Sequence, residues 1–129
     1  MKVYLIAGEA SGDLHASNLA KELKAQQPDV EMRGWGGDMM ADAHVDIVKH
    51  YRDLAFMGFI EVVMNLRTIA RNLRSCKADI EAFKPDAVIL IDYPGFNLRI
   101  ATWCRENNIP VLYYISPQVW AWKQGRVKR

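Results

Sequence analysis

The chain has 129 residues, enough for one domain with a sizeable core and too few for two. Half of its residues are hydrophobic and a quarter are charged, an ordinary globular balance, and a net charge of +2 is too small to argue for nucleic acid as a partner. No apolar run approaches the roughly 20 residues that a membrane-spanning helix needs, so the protein is expected to be soluble or to lie on a membrane surface.

In chain order, residues 3–7 form a continuous apolar run that suits a strand buried on both faces. Glu9 and Asp13 follow it too soon for the core of a signal peptide. After Gly8-Glu9-Ala10-Ser11-Gly12-Asp13, apolar residues at Leu14, Ala16, Leu19, Ala20 and Leu23 recur with helical spacing, and Ser11 or Asp13 is the expected cap. Residues 30–35 read as a second strand. The Gly36-Gly37 turn leads to a short helix at 39–43 and a short strand at 45–48. The longest helical pattern runs over 59–83 and closes at Lys84-Pro85-Asp86. An apolar strand at 87–91 ends on Asp92, Tyr93-Pro94-Gly95 breaks the chain, and a helix spans 97–107. Pro110 leads into a strand at 111–115, which Ser116-Pro117 stops. Strands alternating with helices predict an α/β fold, a doubly wound parallel sheet of Rossmann-like type; five strands could close it, but the ending Gln124-Gly125-Arg126-Val127-Lys128-Arg129 reads as cut rather than finished.

In such a sheet, ligands bind outside the carboxyl ends of the strands, where three polar clusters fall. The first, at residues 8–13, opens a helix. It is neither a dinucleotide fingerprint nor a P-loop, and its two acids suit sugar hydroxyls better than phosphate; the plainer reading is a capped helix start. In the second, Asp92 closes an apolar strand beside Pro94 and Gly95, a position suited to a general base; the alternative is a cap for the next helix. The third, residues 116–123, sets Trp120 and Trp122 two apart, ready to stack on a sugar or line an acyl pocket, or to pack at a domain edge. His15, His44 and His50 are scattered, and Cys76 and Cys104 lack metal or redox spacing. No metal site and no cofactor are expected, and the two thiols read as reduced cysteines of a cytoplasmic protein.

The long helical segment is apolar over more than one face. Ile60, Val62, Val63, Leu66 and Ile69 are followed and flanked by Arg67, Arg71, Arg74 and Lys77, a pattern that fits an anionic membrane surface. An ordinary buried helix or a subunit contact, hence a homo-oligomer, accounts for the same surplus.

Four blocks, in order along nearly the whole chain, resemble the lipid A disaccharide synthases. They are Ala7-Gly8-Glu9-Ala10-Ser11-Gly12-Asp13; Leu54-Ala55-Phe56-Met57-Gly58 with Glu61-Val62; Ile91-Asp92-Tyr93-Pro94-Gly95-Phe96-Asn97; and Ser116-Pro117-Gln118-Val119-Trp120-Ala121-Trp122. The resemblance implies an inverting glycosyltransferase that joins UDP-2,3-diacylglucosamine to 2,3-diacylglucosamine 1-phosphate without a metal ion. It implies the amino-terminal half of a GT-B architecture, with residues 1–129 forming the acceptor domain and a carboxy-terminal UDP-donor domain absent. It makes Asp92 the base for the acceptor's 6-hydroxyl and puts Glu9, Ser11, Gly12, Asp13, Asn97, Ser116 and Trp120 at the acceptor. Ile60, Val62, Val63, Leu66, Ile69, Arg67 and Arg71 are implied to meet the inner membrane from its cytoplasmic side. Gly95 stands where the family often carries a second acid, and Gly36-Gly37-Asp38 departs from the usual turn, which weakens an anion role there. The family's chains are far longer, so this chain alone is expected to be inactive. The alternative is a non-catalytic membrane-surface or ligand-binding module on the same fold.

Overall fold

A computed structural model describes the backbone of residues 1–56, 66–115, 118–123 and 126–128, and the side chains of 1–53, 70–93 and 95–114. The elements are β1 (Lys2–Ala7), α1 (Ala10–Gln26), β2 (Glu31–Gly36), α2 (Asp38–Asp42), β3 (Val45–His50), α3 (Tyr51–Phe56), α4 (Leu66–Phe83), β4 (Ala87–Ile91), α5 (Pro94–Glu106), β5 (Val111–Ile115), β6 (Gln118–Lys123) and β7 (Arg126–Lys128). They build one sheet in the order β3-β2-β1-β4-β5-β6-β7. The strands β1 to β5 pair in parallel, which is the expected doubly wound arrangement.

The run 3–7 is a central strand, and all of its side chains are buried. Its odd residues, with Ile89 and Ile91 of β4, pack on Ala16 and Ala20 of α1; its even residues pack on Cys76, Ile80, Ile100 and Cys104 of α4 and α5. Small residues on α1 let that helix lie close to the sheet. Gly34 serves the same end within the sheet, since a β-carbon there would overlap the Leu5 carbonyl of the neighbouring strand. The pairing of β2 with β3 slips at this point, between Gly34 and Trp35.

Beyond the five parallel strands the sheet continues: β6 returns antiparallel on β5, and β7 pairs antiparallel with β6. The sequence Gln118-Val119-Trp120-Ala121-Trp122-Lys123 is rich in aromatic and β-branched residues, a composition that favours a strand over an open loop. The helix expected over 59–83 is described from Leu66 onward, and the part of it before residue 66 lies outside the described residues.

A polar network ties α4 to the sheet. Arg33 donates to Asp79 from Nε and Nη2, at 2.9 and 2.7 Å, and Tyr4 Oη donates to the same carboxylate at 2.7 Å. The Arg33 hydrogen bonds hold the Asp79 carboxyl below the usual carboxylate value. A depressed acid stabilises the fold above its ordinary pKa of about 3.9, and that contribution disappears as pH falls through and below this value. Asp79→Asn is therefore expected to lower the melting temperature at pH 7, with the gap to wild type narrowing as pH falls below about 4 and toward the depressed native value. Thermal melts at neutral and acid pH check it; an unchanged gap contradicts it.

Candidate functional site

The sheet order reverses direction between β1 and β4, and their carboxyl ends open the crevice where doubly wound folds bind ligands. Two loops meet there: residues 8–13, which enter α1, and residues 92–97, which enter α5. They are pressed together. A β-carbon at Gly8 would lie 2.4 Å from Tyr93 Cγ, too close for any side chain, and one at Gly12 would lie 3.2 Å from Ala7 Cβ and 3.4 Å from Ile91 Cγ2.

Asp92 and Tyr93 both adopt left-handed backbone, with φ of 46° and 57°. Each such non-glycine residue costs on the order of 1–2 kcal/mol, and such strain collects at functional sites. Pro94, whose fixed φ suits a first helical position, then starts α5. The turn is held from below. Asp92 N–H donates to the Tyr114 carbonyl at 2.9 Å, and the Asp92 carbonyl accepts from Asn97 Nδ2 at 2.7 Å and from Tyr113 Oη at 3.2 Å. The Asp92 side chain is half-buried at the rim, and among the described residues no donor is recorded for its carboxylate. Burial, with the Asp92 charge nearby, pushes the Tyr113 phenol up to about 12, so it stays protonated and remains a donor at neutral pH.

The other expected residues divide. Glu9 and Ser11 are exposed at the mouth of α1, Ser11 Oγ lying 3.4 Å from Glu9 Oε2. Gly12 is buried and lets the helix approach β4. Asn97 is wholly buried; its Nδ2 also lies 3.4 Å from the Ile6 and Ile91 carbonyls, so it ties the ends of β1 and β4 rather than presenting its amide to solvent. Trp120 lies on β6 opposite Tyr113, two rungs below the carboxyl edge. Trp122 lies opposite Val111, at the far end of β5. Ser116 lies outside the described residues, as do Ile60, Val62 and Val63. The backbone of Leu66, Arg67 and Ile69 is helical in α4, and Arg71 is exposed further along it.

Asp13 corrects the expected capping. The cap position of α1 is Glu9, which makes no side-chain capping bond. The Asp13 carboxylate is 2% exposed and reaches instead to the next helix. Its Oδ1 accepts from Gly37 N at 2.8 Å and Met40 N at 3.0 Å, and its Oδ2 from Met39 N at 3.1 Å. It thus caps α2 from a distance and stabilises the partial positive charge of that helix start. A β-carbon at Gly37 would lie 2.7 Å from Asp13 Oδ2, so glycine is needed for this approach. Tyr93 and Tyr113 were not singled out from the sequence, where nothing distinguishes them from core aromatics.

Among the described residues, no group of three or more His, Cys, Asp or Glu side chains could hold a metal ion, and no helix is long and apolar enough to cross a membrane.

The fold, with two loops paired at its switch point, defines an α/β domain of the doubly wound class. Residues 3–129 match the family described as lipid-A-disaccharide synthetase, and the chain belongs to that family. It is 45% identical over 126 residues to the lipid-A-disaccharide synthase of Syntrophus aciditrophicus, covering 98% of this chain and 33% of that protein. It is 42% identical over 127 residues to that of Coxiella burnetii (98% and 34%) and 44% identical over 128 residues to that of Geobacter metallireducens (99% and 33%). The chain thus spans about a third of the length of these relatives. Among solved structures, the UDP-GlcNAc 2-epimerase of Neisseria meningitidis, bound to UDP-GlcNAc, shares the fold. It matches with a TM-score of 0.52 at 14% identity, over 88% of this chain and 32% of that one.

Removing the Asp13 carboxylate leaves three backbone donors of the α2 turn without their acceptor. Asp13→Ala is expected to cost about 2–4 kcal/mol of stability, read from denaturant unfolding, where an exposed aspartate would cost almost nothing.

Proposed function

We propose that the complete protein to which this chain contributes transfers a diacylglucosamine unit from UDP-2,3-diacylglucosamine to 2,3-diacylglucosamine 1-phosphate, releasing UDP and forming the β-1,6-linked lipid A disaccharide 1-phosphate. Residues 1–129 supply the acceptor side of a two-domain cleft, and the UDP-donor domain lies in the remainder of the protein. The observation that carries this reading is the half-buried Asp92 carboxylate, held on a strained, clamped turn at the switch point of a chain belonging to this family.

Asp92 takes the proton of the acceptor 6-hydroxyl as that oxygen attacks the donor's anomeric carbon from the face opposite the diphosphate. The new C–O bond forms as the bond to the diphosphate breaks, and inversion follows from this in-line geometry. The held backbone of Asp92 keeps the carboxylate in place before substrate arrives, and so lowers the entropic part of the barrier. Glu9 and Ser11, exposed at the mouth of α1, offer a carboxylate and a hydroxyl to sugar hydroxyls. Asp13 and Asn97 act on the acceptor through the backbone they hold.

The segment 60–69, together with the exposed Arg71 and Arg74 of α4, rests on the cytoplasmic face of the inner membrane, where both lipid substrates are presented. The arginines supply attraction to anionic headgroups of about 1 kcal/mol each. On this reading the isolated chain binds lipid weakly and turns nothing over, because the UDP donor is held by the other domain.

Disaccharide formation by the complete gene product, wild type beside Asp92→Asn, tests the reading. The substitution keeps the shape and removes the base; a loss of roughly a hundredfold or more in kcat with intact folding is expected. An active wild type matched by its mutant rejects Asp92 as the base. A wild type that forms no disaccharide rejects the reaction.

A further inference from the structure

A pocket of about 350 Å³ lies on the α1 face of the sheet, within the size range of small-molecule sites. Its floor is Ile91, Leu112 and Tyr114, from the carboxyl halves of β4 and β5. Its wall is one flank of α1, at His15, Asn18 and Leu19. The surface it presents is nearly all carbon. Leu112 and Tyr114 are half-buried and pack on the α1-side core from β5.

The pocket is continuous with the candidate site. Ile91 is the residue before Asp92, and Tyr114, its register partner, accepts the Asp92 N–H. The rings of His15 and Tyr114, with centroids 5.7 Å apart, stand at this upper rim. Leu112 lies two residues deeper along β5, about 7 Å at the rise of a strand. An elongated apolar group entering beside Asp92 would therefore run down along the strands.

The lining selects among ligand chemistries. A nucleobase or sugar buried here would leave most of its polar groups facing carbon and unpaired, whereas an alkyl chain has none to pair. We propose that this pocket receives the end of one fatty acyl chain of the acceptor sugar, and so measures acyl length while the sugar's hydroxyl faces Asp92. The proposal rests on the acceptor reading above. Each methylene held in such a pocket contributes roughly fourfold in affinity.

The test uses the complete gene product and an acceptor sugar phosphate carrying a diazirine at the end of one acyl chain. After irradiation, label is expected in residues 15–19 or 112–114. Leu19→Trp, which fills the pocket, is expected to cut that labelling at least tenfold and raise KM for the long-chain acceptor at least tenfold, with KM for a short-chain acceptor within twofold. Should that variant not fold, Leu112→Ala enlarges the same pocket and is expected to shift preference toward longer chains. Labelling confined to other segments overturns the proposal, as does a KM change independent of chain length or an unshifted Leu112→Ala. A protein that forms disaccharide but labels elsewhere loses the pocket alone. One that labels here but forms no disaccharide loses the proposed reaction and keeps the pocket.

Discussion

The buried Asn97 amide sits where the two halves of the sheet part, and its Nδ2 faces the carbonyls of Ile6, Ile91 and Asp92. Ile6 and Ile91 lie at the ends of β1 and β4, the strands on either side of the switch point, and Asp92 is the first residue beyond β4. One side-chain donor therefore joins the two strand ends and fixes the point from which the 92–97 turn departs. The left-handed pair Asp92 and Tyr93 is unfavourable taken alone and persists because the surroundings over-determine it. Asn97 from beneath, Tyr113 Oη from the side and the Tyr114 carbonyl all hold Asp92 by its backbone.

The neighbouring loops are bound into the same unit by close packing. Tyr93 lies against Gly8, so the 92–97 turn and the 8–13 turn cannot shift independently. Asp13, one helical turn into α1, carries the constraint onward to the start of α2 through its buried carboxylate. The first loop thus contains two acids with opposite fates. Glu9 stays in solvent, and Asp13 is absorbed by the protein's own backbone. This division gives a mouth with one accessible carboxylate beside the rim that carries Asp92.

Much of the fold was legible in the sequence where the signal is local. The apolar runs ending at Ala7 and Ile91 read as buried parallel strands, because such strands need no alternation of polar and apolar residues. Asp92, closing an apolar strand before Pro94, read either as a general base or as a cap for the next helix; the cap position of α5 is Tyr93, with no side-chain capping bond. Long-range pairings were not legible. Asp13 was expected to cap its own helix, and no local pattern points to a turn 24 residues on. Asn97 read as a ligand contact, because burial of its amide depends on β1, which lies 91 residues earlier. Trp120 and Trp122, past a strand end, read either as cleft residues or as packing at a domain edge. The strand propensity of their segment carries it back along β5 instead, so only its start remains near the carboxyl edge.

The central claim is that Asp92 deprotonates the acceptor hydroxyl, and its most direct measurement is a crystal structure of the complete protein with 2,3-diacylglucosamine 1-phosphate bound. A 6-hydroxyl oxygen about 2.6–3.2 Å from the Asp92 carboxylate, or joined to it through one water, is the expected result. An acceptor seated with its 6-hydroxyl against another residue, and Asp92 facing only solvent, would contradict it.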